Sequence, residues 1–252
     1  DQTCTNNYQQ DRVDILKQYA DYSWAIDPTH YVIFEHLGGD TEEQQWANYR
    51  VGDAIPKGIM MWGIMYGAYK EFALGFNSNI SRATSESRGF TKRRLIPYPE
   101  SHDEERLMYD MSQFGNTTNT LHNVRNLNTA LSRMSAIGAT SLLIPGPKMI
   151  WHFGALGMNN SIYTCNNSTV SNPNCKLDTK PQPQWTNNWL ADVNRNKIYN
   201  DWAKLNELKI NEPVFEGNAT LEGTTRTVRL FIWDDAIPST ALKNVVVLAN
   251  FY

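Results

Sequence analysis

Short, continuously apolar segments alternate with longer amphipathic segments along most of this chain. The apolar segments have the composition of strands that are buried on both faces of a sheet. Four such strands are predicted, at residues 31–34, 58–62, 95–98 and 148–151. Helical spacing of apolar residues predicts helices at residues 11–25, 66–76, 123–139 and 194–208, and a further helix that starts at Asp40. Strands that alternate with helices form parallel sheets with right-handed crossovers, so the pattern predicts an α/β fold.

Four strand–helix units are half of an eight-fold (β/α)8 barrel, so we expect the C-terminal half of a TIM barrel. A complete small four-stranded α/β domain fits the same pattern, and the pattern alone does not choose between them. After residue 210 the pattern changes, because Val228, Leu230 and Ile232 recur at every second position, as in an antiparallel strand. We therefore predict the barrel half over residues 1–210 and the start of an antiparallel β-sandwich domain over residues 211–252.

The overall charge and hydropathy of the chain exclude two classes of partner. The net charge is −3, which gives no electrostatic reason to bind nucleic acid. No apolar run approaches the roughly 18 residues of a transmembrane helix. Aromatic residues make up 12% of the chain, and because flat rings stack on sugars as well as filling cores, this content favours a carbohydrate partner slightly.

Two cysteines lie ten residues apart in a polar, asparagine-rich segment. Buried free cysteines seldom sit in such surroundings, so Cys165 and Cys175 are predicted to form a disulfide, with the loop between them near the carboxyl ends of the predicted strands. A disulfide indicates an oxidising compartment, and we expect a secreted, cell-surface or periplasmic protein. Cys4 is left over and is either free or paired outside this chain.

Two carboxylates follow predicted strands directly or closely: Glu35 after residues 31–34 and Asp103 after residues 95–98. The carboxyl ends of parallel barrel strands meet on one face, where catalysis occurs. Cleavage of a glycosidic bond needs a carboxylic acid to protonate the leaving oxygen and a carboxylate to stabilise the positive charge on the sugar. Two solvated loop acids are the alternative interpretation of this pair.

Three segments resemble motifs of the α-amylase family, glycoside hydrolase family thirteen. YVIFEH at residues 31–36 looks like its fifth-strand motif, ESHDEER at 100–106 like its seventh, and PGPKMIWHFG at 145–154 like its eighth strand. The resemblance implies that Glu35 is the general acid/base, that His102 binds sugar and that Asp103 stabilises the transition state. It is strongest to secreted or surface α-amylases of gut-type Bacteroidetes bacteria.

The chain departs from the family pattern in two places. The Arg-x-Asp motif of the fourth strand, which carries the nucleophile, is absent, and we expect it upstream because residues 11–25 resemble the helix that follows that strand. This chain alone should therefore be nearly inactive. Relatives commonly have Gly-Glu-Leu-Gly after the eighth strand, whereas residues 154–157 here are Gly-Ala-Leu-Gly, a change that bears on loop geometry more than on chemistry.

Other polar and aromatic residues are weaker candidates for the same site. His36 and Arg106 are predicted to contact sugar, although a structural hydrogen bond for His36 and an ion pair for Arg106 explain them as well. The rings of Trp62, Tyr66 and Trp151 either stack on glucose or belong to the core. No metal ligands are predicted, because the histidine spacing matches no zinc signature. No cofactor is evident, and calcium binding is left open because the family's usual sites draw on the missing half.

The combined interpretation is a retaining enzyme that cleaves α-1,4-glucosidic bonds within starch-like polysaccharides. Its partners would be an α-glucan and either the missing N-terminal half or a second copy of the chain. The first alternative is a non-catalytic α-glucan-binding or structural protein derived from the same fold. The second is a glucanotransferase or cyclodextrin hydrolase of the same family.

Overall fold

A parallel three-stranded sheet lies in the N-terminal part of the computed structural model, which describes residues 7–179 and 185–252, so that Cys4 lies outside the described residues. Its strands are β1 (Ile33–Phe34), β2 (Met60–Ile64) and β3 (Leu95–Tyr98), in that spatial order. Ile33 pairs with Met60, and Met61 pairs with Leu95. Three of the four predicted strands are thus confirmed, and they are parallel and adjacent.

The fourth predicted strand, at residues 148–151, is wrong, since these residues belong to no strand. Among the described residues, β3 forms its ladder with β2, and the segment has no strand partner of its own. It follows a Pro-Gly-Pro turn in which Gly146 has a φ of 98° and Pro147 has no N–H to donate. An apolar run of this length becomes a strand only where a neighbouring backbone accepts its hydrogen bonds.

The described residues also contain six α-helices. They are α1 (Gln10–Ile26), α2 (Asp40–Ala47), α3 (Tyr66–Leu74), α4 (Leu107–Phe114), α5 (Leu127–Leu142) and α6 (Val193–Asn211). The sequence predicted all of them except α4. The Asn126 side chain caps α5 by accepting from the N–H groups of Asn128 and Thr129, and Asp192 caps α6 in the same way.

The C-terminal residues form a second, antiparallel sheet of three strands. Its strands are β4 (Asn218–Glu222), β5 (Thr227–Trp233) and β6 (Asn244–Asn250), in that order. Val228, Leu230 and Ile232 are buried on one face of β5, as their spacing predicted. Residues 211–252 do adopt antiparallel structure, while the domain boundary at residues 210 and 211 stays a prediction.

Two hydrophobic clusters hold these layers together. The larger contains apolar side chains from α3 to α6 and from β5 and β6, so the antiparallel sheet packs on the helices. Arg133 ties the same layers by donating to the carbonyl groups of Phe72, Ala73 and Phe251. The smaller cluster joins α1 and α2 to the parallel sheet through residues such as Val13 and Trp46.

Apolar side chains on and beside the parallel sheet remain exposed. Ile33 is 48% exposed, Tyr31, Ile64 and Ile150 are also exposed, and in the described part of the chain β1 pairs with β2 alone. An unpaired strand edge with apolar neighbours is a template for association with another chain.

We therefore expect the purified chain to self-associate, most simply as a two-fold dimer. Ultracentrifugation at several concentrations should show an average mass that rises above the 28.8 kDa of one chain. Ile33→Lys should weaken the association, whereas the control Ile210→Lys, on an exposed position of α6, should not. A single 28.8 kDa species of the unmodified chain at every concentration would contradict the expectation.

Candidate active site

The carboxyl edge of the parallel sheet brings together the two predicted catalytic carboxylates and the histidine predicted to bind sugar. Glu35 follows β1 directly, and His102 and Asp103 lie in the loop that follows β3. Nε2 of His102 lies 4.0 Å from Oε1 of Glu35 and 3.4 Å from Oδ2 of Asp103. One side-chain N or O atom of each residue lies within 4.8 Å of the others. The side chains are 40%, 35% and 51% exposed in chain order, so a polymeric ligand has access to them.

Aromatic rings flank the imidazole of His102. The ring centroids of Trp62, on β2, and Trp151 each lie 5.9 Å from that of His102. The ring centroids of Trp62 and Tyr98 lie 5.3 Å apart. Flat rings beside donors and carboxylates suit a sugar, whose apolar face stacks while its hydroxyl groups form hydrogen bonds.

Tyr66, the third ring for which stacking on glucose and a place in the core were both considered, has a structural contact. Its hydroxyl donates to Asp110 of α4. Burial and this hydrogen bond raise the pKa of Tyr66 well above its usual value, so the phenol keeps its proton. This geometry makes Tyr66 a link between α3 and α4.

Arg106 is buried beneath the loop that carries His102 and Asp103. Its side chain is 1% exposed, and its guanidinium donates to the carbonyl groups of Ser101 and Glu104. The predicted sugar contact does not fit this position, because the side chain shapes the loop from within. Glu100 supports the same turn, since its Oε1 accepts from the N–H of Leu107 at 2.7 Å and burial raises its pKa.

His36 also has structural partners in place of the predicted sugar contact. Its Nε2 lies 2.9 Å from Oε2 of Glu42, and its Nδ1 lies 3.4 Å from Oε1 of Glu43. The N–H of Gly38 donates to Nδ1 at 3.2 Å, and a Cβ at this glycine would meet the imidazole at 2.3 Å. Both ring nitrogens are therefore engaged by α2 and the loop after Glu35, which favours the structural hydrogen bond over the sugar contact.

Sequence reasoning missed one charged side chain at the site. Nζ of Lys176 donates to Oδ1 of Asp103 at 3.1 Å. Lys176 follows Cys175, which is joined to Cys165 by the predicted disulfide. The disulfide segment thus reaches the carboxyl edge of the sheet. The signal that could have indicated Lys176 was its position next to Cys175, in a segment predicted to lie near that edge.

The same three residues are the group of potential metal ligands found in the described part of the chain. Glu35, His102 and Asp103 offer two carboxylates and one imidazole. Calcium prefers oxygen ligands throughout, so an imidazole nitrogen makes this set a poor match for it. The group is better suited to holding a sugar between a donor and two acceptors. Calcium binding elsewhere stays an open question.

Comparison with solved structures finds a similar fold in parts of several larger proteins. An α-amylase from H. orenii superposes with a TM-score of 0.52 at 14% identity, over 97% of this chain and 56% of that one. For Amy13B from Eubacterium rectale the TM-score is 0.57 at 15% identity, over 97% of this chain and 48% of that one. For a type I pullulanase from Bacillus subtilis complexed with maltose the TM-score is 0.62 at 15% identity, over 94% of this chain and 35% of that one.

At these identities the comparisons establish the fold alone: the chain is an α/β protein that resembles part of these enzymes. It spans about a third to just over half of their lengths. No protein-family model matches the chain, and neither does any curated protein. No helix in the residues that the structure describes is long and apolar enough to cross a membrane.

Proposed function

We propose that this chain is part of a retaining glycoside hydrolase of the α-amylase family that cleaves α-1,4-glucosidic bonds within starch-like polysaccharides. The observation that carries the proposal is the cluster of Glu35, His102 and Asp103 at the carboxyl edge, with Trp62 and Trp151 beside it. The three sequence motifs support it, and so does the similarity of fold to an α-amylase and a pullulanase.

Each residue of the cluster has a role in this proposal. Glu35 protonates the leaving glycosidic oxygen and later takes a proton from the attacking water. Asp103 accepts hydrogen bonds from sugar hydroxyl groups and stabilises the oxocarbenium-like charge. His102 donates to the same sugar unit from its position between the two carboxylates.

The nucleophile would come from polypeptide beside β1. We propose that β1, β2 and β3 are the fifth, sixth and seventh strands of a (β/α)8 barrel, and that residues 211–252 begin a β-sandwich domain. The edge of β1 that faces away from β2 is where the fourth strand, with its Arg-x-Asp motif, would pair. Exposed Ile33 would then become buried. The Cys165–Cys175 disulfide supports an exported protein, of the Bacteroidetes type that the motifs resemble.

A non-catalytic α-glucan-binding protein is the second candidate. Its support is the exposure of Glu35, whose side chain is 40% exposed. Catalytic general acids are commonly held in apolar pockets that keep them protonated. An open carboxylate suits a hydrogen-bond acceptor for a bound sugar.

Titration calorimetry with maltoheptaose tests the α-glucan site that both candidates share. We expect His102→Ala to weaken binding by up to about 10-fold, because a hydrogen bond contributes up to about 1.5 kcal/mol. The control His30→Ala should bind as the unmodified chain does, since His30 precedes β1 at the opposite edge of the sheet. Absence of any maltoheptaose binding by the unmodified chain at millimolar concentration would count against the proposed function.

A further inference from the structure

We infer that Lys176 is a sugar-contacting residue of this site, held in place by the Cys165–Cys175 disulfide, and that its ammonium donates to a hydroxyl group of the glucosyl unit bound by Asp103. The inference rests on the proposed function, since it takes the cluster around Asp103 as the sugar site. It adds a residue that no motif of the sequence indicated, and it assigns a functional purpose to the disulfide.

The two carboxylate oxygens of Asp103 face donors from different parts of the chain. Oδ1 lies 3.1 Å from Nζ of Lys176, and Oδ2 lies 3.4 Å from Nε2 of His102. A hydroxyl group that donates to Asp103 therefore comes next to both donors. Lys176 is 38% exposed, and its ammonium has three N–H groups, so donors remain for a ligand after one is used by Asp103.

The charges around the ammonium select the class of ligand. Asp103 and Glu35 are both carboxylates of the same cluster. An anionic ligand such as a phosphate would meet the repulsion of both carboxylates. A neutral polyol escapes this repulsion and uses acceptors and donors alike, which is the chemistry of a glucosyl unit.

The segment that carries Lys176 is tied to the loop of Asp103 at a second point. Glu105, two residues after Asp103, accepts from the hydroxyl of Ser161 at 2.5 Å and from the N–H of Ile162 at 2.9 Å. The N–H of Leu177 in turn donates to the carbonyl of Ile162 at 2.7 Å. The Cys165–Cys175 disulfide lies between these hydrogen-bonded positions in the sequence. The disulfide and the hydrogen bonds together hold Lys176 against Asp103.

The exposure of the ion pair argues against a mainly structural role. Asp103 is 51% exposed and Lys176 is 38% exposed. Ion pairs this open to water contribute little to folding stability. Removing Lys176 should therefore leave folding stability nearly unchanged, so a loss of sugar binding by its variants reports on the contact itself.

The test is the dissociation constant for maltoheptaose, measured by calorimetry on the 252-residue chain and its variants. We expect Lys176→Met to weaken binding by about 10-fold and Lys176→Arg to restore part of the loss, because Arg keeps the charge and the donors. The control Lys197→Met removes an exposed lysine that pairs with Asp201 on α6, and it should leave binding unchanged.

The disulfide is tested in the same series. Cys165→Ser with Cys175→Ser should weaken maltoheptaose binding to a similar extent, and adding Lys176→Met to that variant should have little further effect, since the two changes remove the same contact. Fully additive losses would overturn the proposed link between disulfide and lysine.

The outcomes also separate this inference from the proposed function. If Lys176→Met binds maltoheptaose as tightly as the unmodified chain, the inference is overturned and the α-glucan site stands. If the unmodified chain binds no maltoheptaose, the proposed function fails first and the inference fails with it. Because Lys176 lies at the surface, circular dichroism should show that its variants keep the fold.

Discussion

The 252-residue chain is expected to release reducing ends from soluble starch at least about 10⁴-fold more slowly than the roughly 10 s⁻¹ of a typical enzyme. The reason is that the proposed mechanism needs a covalent intermediate, and the cluster of Glu35, His102 and Asp103 has no carboxylate assigned as nucleophile. A reducing-sugar assay over several hours measures this. Turnover at ordinary rates would show that these 252 residues contain a nucleophile, contrary to its expected position on an upstream fourth strand.

The role of Glu35 is tested in a polypeptide that joins this chain to the strand carrying the nucleophile. There, Glu35→Gln should lower kcat by about 10²–10⁴-fold, because the amide cannot donate a proton to the leaving oxygen. The control Glu207→Gln replaces an exposed acid of α6 and should leave kcat unchanged. Equal activity of both variants would remove Glu35 from the mechanism.

Glu43→Gln is expected to lower the free energy of unfolding by about 3 kcal/mol, the largest effect expected on stability. Glu43 is fully buried, and its Oε2 lies 3.2 Å from Nη1 of Arg88, which is also buried. Removing the negative charge leaves the guanidinium with less compensation in a medium of low polarity. It also weakens the contact with His36 immediately after Glu35.

Guanidinium chloride denaturation measures the effect of Glu43→Gln. The control Asp53→Asn breaks an exposed ion pair with Arg50 and should change the free energy of unfolding by less than about 0.5 kcal/mol. If Glu43→Gln unfolds at the same denaturant concentration as the unmodified chain, the buried pair with Arg88 does not form in solution.

The secondary structure was largely predictable because its signals are local. β1 and β3 are runs of adjacent apolar residues, and the helical spacing of α5 shows in the sequence itself. β2 begins two residues later than predicted, since Gly58 has a φ of 91° that a strand does not accommodate. The eight-residue helix α4 was missed because Arg106 at its N-cap gives no capping signal, whereas the equally short α2 is indicated by the acids of its first turn.

The candidate site was predictable to the extent that one rule of topology decides it. Parallel strands end at one edge, so residues that follow them meet there, and this rule predicts that Glu35, His102 and Asp103 lie together. The rule says nothing about where a side chain turns. His36 turns toward Glu42 and Glu43, and its neighbour Glu35 does not.

The sequence by itself determined the α/β alternation, the antiparallel C-terminal strands, the cysteine pair and the three residues at the sheet edge. Only the tertiary structure decided that residues 148–151 form no strand, that Arg106 is buried, and that Lys176 meets Asp103 across 73 positions of chain. The physical reason is that apolar spacing and turn chemistry act between near neighbours. Strand pairing, burial of charge and ion pairs depend on groups that only the folded chain brings together.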